Sequence, residues 1–474
     1  MKTNRLIAVL AVATIVTSCN NHTKDKHYSH ADTPKESYEY PADSTTINKW
    51  IAHDNFKAMY KHSWNVWKHL TAPVEGGKLK YQTWSSPKQI LHKLNNPNAN
   101  VAPEIEFNKP KQFGHAKAKQ SDFDDTSIVE VVAYNPSAEK YAIDNKIFYL
   151  STLKAMQTGD FSQVPEFPHD AITIKPVYKI ITQNSLNENG IFTMSAWHGP
   201  EYKDDGYPEK DWVSCIHVDT KNTGNNTNGR IDYDCKTITK ENTFFIDDFI
   251  NFKISKQQSE EYNQEIISDL KSDLTNKVIT QEEYDYQLKN QQTSEGDTAI
   301  LVGMHVGTKE IKRWVWQTFW WSPTPDTPSI PSSDDIASAR SGIGLTNQAR
   351  HYAMDIAYSM VIPAQPYVGG KNEGELVVGF NPYLESGFGT DVFDAKTSYV
   401  YNNGTKIETN LGTMSNCMSC HMSAAVNTAI SVSSNISSPP YVGDTYLSYK
   451  DSIFQNRLML DFAWSIQSNI DTLK

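Results

Sequence analysis

Late in the chain, Cys417-Met418-Ser419-Cys420-His421 spells Cys-x-x-Cys-His, and only 53 of the 474 residues follow it. Two thiols separated by two residues lie about one helical turn apart, and the histidine directly after them shares their side of the turn. This is the attachment pattern of c-type haem: the thiols add to the two vinyl groups, and the imidazole comes under the iron as proximal ligand. A closing segment this short does not enclose a porphyrin alone, so the motif is expected to seat against the body of the chain before it. A thioredoxin-like redox pair also reads Cys-x-x-Cys, but it calls for a surrounding βαβ pattern that these flanks lack. A structural zinc site calls for a second ligand pair, and none is local.

The start of the chain reads as an address. Lys2 and Arg5 precede an apolar run from Leu6 to Val16, closed by Thr17-Ser18-Cys19. That is an export signal too short to span a bilayer, and its cysteine stands where a bacterial lipoprotein is acylated. Residues 1–19 are therefore expected to be a lipoprotein signal with Cys19 lipidated, the alternative being an ordinary secretory signal with an incidental cysteine, and polar residues 20–48 a flexible tether. The expected location is the cell envelope, anchored to a bacterial membrane and facing the periplasm or the outside. The net charge of −11 speaks against a duplex nucleic-acid partner, which binds through a basic face.

The chain between these ends predicts an α+β fold, with a helical N-terminal region, a β-rich centre and a C-terminal haem-attachment segment. From Thr45 on, Ile47, Ile51, Met59, Trp64, Trp67 and Leu70 recur at three- and four-residue steps and predict helix, which runs into the helical and loop region 49–125, whose part 85–125 reads as loops. From 126 to 400, β-branched and aromatic runs predict strands at Ser127–Ala133, Ala171–Ile181, Ile191–Trp197, Trp212–Val218 and Ala299–Val306. Trp314–Trp321 is expected to pair with Ala299–Val306 as a hairpin. A charged helical hairpin at 256–292, with a Thr280/Glu283 capping box, interrupts this region. A helix is expected from Asn347 to Val361, and Phe454 to Ile466 looks helical. Residues 401–474 form the haem-binding segment.

Of the remaining cysteines, Cys215 and Cys235 flank a loop of Asp, Thr, Asn and Gly; they are read as a disulfide, with two buried free thiols as the alternative. Asp219, Asn225, Asn228, Asp232 and Asp234 in this stretch lack calcium-loop spacing and read as a solvated turn. The sixth iron position is open to Met459 or His305, with His198 and His351 as further candidates and a vacant position as the alternative. Met418 and Met422 stand too close to the motif to reach the opposite face of the iron. Trp314, Trp316, Phe319, Trp320 and Trp321 either wall the haem or pack the core.

Ile172–Lys179, Leu301-Val-Gly-Met-His-Val306 followed by Trp314–Phe319, Asn416–His421 and Leu460-Asp-Phe462 together resemble a family of exported bacterial monohaem c-type cytochromes. Trp64-Asn-Val-Trp67 and Tyr81-Gln-Thr-Trp84 also fit. The resemblance implies one covalent haem c and export, and supplies no substrate. A membrane-anchored electron carrier with a redox partner protein follows most directly. The alternatives are a haem enzyme acting on a small molecule at an open iron, in the manner of the cytochrome P460 group, and a haem-based gas sensor or binder.

Overall fold

The computed structural model describes residues 37–98, 105–108, 128–200, 207–388, 398–402, 405–409, 415–429 and 446–474. The expected signal, Cys19 and most of the tether lie outside these residues. Among the described residues no helix is long and apolar enough to cross a membrane.

Residues Tyr38–Lys474 form one compact unit, an α+β fold built on a seven-stranded antiparallel sheet. Its centre is the expected hairpin: the glycine-containing strand Thr298–Thr308 pairs with the tryptophan strand Val315–Trp321. Ile172–Ile181 lies on one side of the hairpin and Tyr352–Ala357 on the other. Ile128–Glu130 and Ala133–Tyr134 extend the edge beyond Ile172–Ile181, and Asn251–Lys253 pairs with the glycine-containing strand. Every residue of Val315–Trp321 is buried, so this strand is core on both faces.

Alternation along the strands divides the sheet into two faces. One carries Phe319, Trp321 and Tyr352 and is covered by the N-terminal helices Ser44–Ala52 and Phe56–Leu70. There Trp67 stacks on Phe319 with ring centroids 4.3 Å apart, and its indole N–H donates to the Ala349 carbonyl at 3.0 Å. The other face carries Trp316, Thr318 and Trp320, flanked in register by Gly307, His305 and Gly303 and by Ala357, Asp355 and Ala353. Each large indole thus lies between a glycine and an alanine, which gives flat ground for whatever packs above. The five aromatic residues also divide: Trp314 and Trp316 belong to the apolar cluster of the Cys-x-x-Cys-His segment, while Phe319, Trp320 and Trp321 belong to the main core.

A buried carboxylate fastens the N-terminal helices to the turn before the tryptophan strand. Glu310 accepts from Ala42 N–H (2.6 Å) and the Thr308 hydroxyl (2.6 Å) and meets His62 Nε2 (3.0 Å). The order of the chain therefore begins before residue 48: Asp43 caps Ser44–Ala52, and Ala42 and Ile47 are buried.

Four further expectations change. Asn347–Val361 is a short 3-10 turn, Gln348–His351, followed by the strand Tyr352–Ala357; ladder pairing with the tryptophan strand prevails over its helical apolar spacing. Phe454–Ile466 is a strand, Arg457–Met459, and a short helix, Trp464–Gln467, separated by Asp461 and Phe462 in left-handed conformation. Pro87–Asn95 is a helix within the supposed loops, opened by a Ser86/Gln89 capping box and a first-turn proline. Pro136–Asp144 and Leu150–Met156 add helices to the β-rich stretch. The inserted hairpin forms as Lys256–Thr275 and Gln281–Gln291, and the first of its helices buries Tyr262, Ile266 and Leu270.

Candidate functional site

The motif folds as a short helix, Cys417–Met422, capped by Asn416, whose side-chain oxygen accepts Ser419 N–H at 3.0 Å. The same side chain donates to the carbonyls of Val377 (2.8 Å) and Met360 (3.2 Å), tying the helix start to the body. Met418, Ser419 and Met422 point inward and are buried; Cys417, Cys420 and His421, at i, i+3 and i+4, share the opposite, half-buried side. Neither Cys417 nor Cys420 is in a disulfide.

His421 is held from two directions. Its ring lies 4.0 Å from that of Trp316, tilted by 32°. Its Nδ1 lies 2.7 Å from the Phe462 carbonyl oxygen. A carbonyl only accepts, so Nδ1 carries the proton, and in the neutral ring Nε2 keeps the lone pair that binds a metal. Trp316 reaches this position because residue 307 is glycine: a Cβ there would come within 2.9 Å of its ring.

The Phe462 carbonyl is fixed in turn. Asp461 and Phe462 adopt φ of 48° and 69°. The Asp461 carboxylate accepts Phe167 N–H at 2.9 Å and the Lys309 ammonium at 2.7 Å, and Lys309 and Asp461 are both buried. Burial lifts the Asp461 carboxyl to about 6, although Lys309 pulls the other way. A chain of contacts thus runs from Lys309 through Asp461 and Phe462 to His421.

A polar row crosses the same sheet face, where Thr318 stands in register with His305 and with Asp355. His305 Nε2 lies 2.8 Å from Glu385 Oε1, and Glu385 Oε2 accepts Asn381 N–H at 2.5 Å. The Asn381 amide donates to the Thr318 hydroxyl at 2.9 Å. Asp355 is buried, which raises its carboxyl to about 8 although the Ile356 and Phe380 amides oppose the shift. Burial also pushes the Cys417 thiol up, and the charges of Glu385 and Asp355 add to that. These two carboxyl groups therefore lie within the electrostatic reach of the motif.

Of the expected sixth ligands, His305 lies on the face that carries Trp316. His351 lies toward the far face, parallel to Trp321 and 3.1 Å from Asp248. His198 bonds Ser214 at 2.5 Å and packs near Tyr207 and Tyr233. Met459 is on a strand paired with Ala425–Val426 and belongs to the apolar cluster that includes Met418 and Met422. Sequence reasoning missed Asp355, Glu385, Asn416, Asp461 as a clamp, and Lys309. The adjacency of Asp461 and Phe462 in the quoted Leu-Asp-Phe was the available signal. The Cys215–Cys235 disulfide is formed, as expected. No protein-family model, curated protein or solved structure matches this chain.

Proposed function

We propose that this chain is an exported, lipid-anchored c-type cytochrome carrying one haem on Cys417 and Cys420, with His421 as proximal iron ligand, and that it transfers electrons to or from a partner protein. The observation that carries the reading is the arrangement of the motif helix: both thiols and the imidazole share one half-buried side, and the bond from His421 Nδ1 to the Phe462 carbonyl leaves Nε2 as the nitrogen that would bind the iron. The raised Cys417 thiol supports haem over a thioredoxin-like pair, whose attacking cysteine needs a lowered pKa.

The residues present fit the group. When bound, haem supplies a one-electron couple at its iron. The chain's own part is to hold and tune it. Trp316 covers one side of the His421 ring, the Phe462 carbonyl keeps the imidazole in a single tautomer, and the Lys309–Asp461 pair keeps that carbonyl in place. Lipidation of Cys19, proposed from the sequence, holds the protein at the membrane.

A second reading, a haem enzyme or gas binder with an open iron position, is favoured by the His305–Glu385 pair and Asp355 near Cys417, groups that hold or move protons. Mass spectrometry of the mature protein tests the first proposal: one added haem mass, lost in C417S/C420S, supports it, and no added mass overturns it. Carbon monoxide then separates the readings. A reduced spectrum unchanged by CO supports electron transfer, whereas immediate complete binding supports an open site.

A further inference from the structure

A second cluster of metal-ligating side chains lies at the disulfide. Cys215 and His217 stand two residues apart on the strand Cys215–Asp219 and so share a face. Asp232 pairs with Cys215 by two backbone hydrogen bonds, of 2.8 and 2.9 Å. Three residues on, Cys235 takes a left-handed conformation, φ 55°, and its sulfur joins that of Cys215. The Cys215 sulfur, a His217 ring nitrogen and an Asp232 carboxylate oxygen all lie within 4.8 Å of one another. His217 is 1 % exposed, and its Nδ1 lies 2.9 Å from the Thr193 hydroxyl, which fixes the ring so that Nε2 faces Asp232.

We propose that the disulfide and a zinc-class divalent cation are alternative closures of this loop: once the bridge is reduced, Cys215 and Cys235 thiolates, His217 Nε2 and the Asp232 carboxylate bind one cation tetrahedrally. The ligand set, two soft sulfurs with an imidazole and a carboxylate, is of the type zinc takes. The His217–Asp232 separation of 3.2 Å is already close to the edge of such a tetrahedron, about 3.4 Å for zinc–nitrogen and zinc–oxygen bonds of about 2.1 Å. Breaking the sulfur–sulfur bond lets the sulfur pair open to its own edge. The chemistry balances: a dithiol reductant gives two electrons and two protons to the bridge and closes to its own cyclic disulfide. The cation then displaces the two thiol protons to solvent, and the His217 proton moves from Nε2 to Nδ1, where the Thr193 hydroxyl accepts it.

The test uses the full-length protein, desalted after incubation with zinc alone, before and after treatment with a dithiol. Thiol counting confirms reduction, and elemental analysis gives the zinc content. One zinc per reduced chain and none per oxidised chain is expected, with affinity at least tenfold weaker in H217A and in D232N. Cobalt(II) provides a probe that needs no variant, since its thiolate charge-transfer band should appear only after reduction. The C417S/C420S variant keeps the site independent of the haem proposal, because Cys417 and Cys420 are themselves thiols when no haem is attached. Zinc retained in that variant and lost in C215S/C235S supports the site. Zinc lost with C417S/C420S, zinc retained in C215S/C235S, or no zinc or cobalt signal in the reduced protein overturns it.

Discussion

Asp355 offers a test of the electrostatics of the sheet face under the motif. Burial raises its carboxyl from the ordinary 3.8 to about 8, against the partial help of the Ile356 and Phe380 amides. The unfolded chain releases this proton near pH 4, whereas the folded chain holds it until about pH 8. Between these values the native state carries one more proton, so stability falls as pH rises, by about 1.4 kcal/mol per pH unit. Over the whole window the loss is on the order of 5 kcal/mol, a large part of a normal folding free energy. Below pH 4 and above pH 8 this group adds no slope. Asp355→Asn keeps the shape of the neutral acid and removes the titration. Urea denaturation of both proteins across pH 4 to 9 is the assay, and subtracting the curves cancels the groups they share. The variant should match the parent near pH 4 and exceed it by several kcal/mol above pH 8. A flat difference, or a parent that gains on the variant as pH rises, refutes the reasoning.

Gly307→Ala places a methyl 2.9 Å from the Trp316 ring and forces the indole off its seat. A loss of about 1–3 kcal/mol in chemical denaturation is expected, with a changed His421 imidazole resonance. Asp461→Ala leaves the Lys309 ammonium buried without its nearest carboxylate. It should cost about 3–5 kcal/mol in denaturation and, if the proposed haem attachment holds, lower the fraction of chain with the added haem mass. Replacing Cys215 and Cys235 by serine opens a cross-link spanning 20 positions and should cost about 3 kcal/mol, measured against the oxidised parent.

The features legible in the sequence were those with a local cause. The Trp hairpin follows from two β-rich runs joined by a short connection, and the inserted helices from the Thr280 capping box and its charged periodicity. The Cys215–Cys235 bridge follows from two leftover cysteines around a polar loop. The strand Tyr352–Ala357 was misread because both of its faces are buried, which hides alternation, while Ala349, Tyr352, Ala353, Ile356 and Ala357 also suit a helical stripe. Met459 was misplaced for a related reason: left-handed Asp461 and Phe462 break a segment whose composition alone reads as helix. Asp355 and Glu385 escaped notice because a lone carboxylate shows its burial only once the strands are in register.

The contacts of the motif helix also order events along the growing chain. Lys309, Trp316, Met360 and Val377 all precede Cys417, so a polypeptide emerging from its N-terminus delivers the motif to ground whose parts are already present. Asp461 and Phe462 come afterwards. The latch on His421 is therefore made after the ground it closes against, and a chain cut before Asp461 would have the thiols, the imidazole and the Trp316 ring beside it, but not the carbonyl that fixes which nitrogen carries the proton.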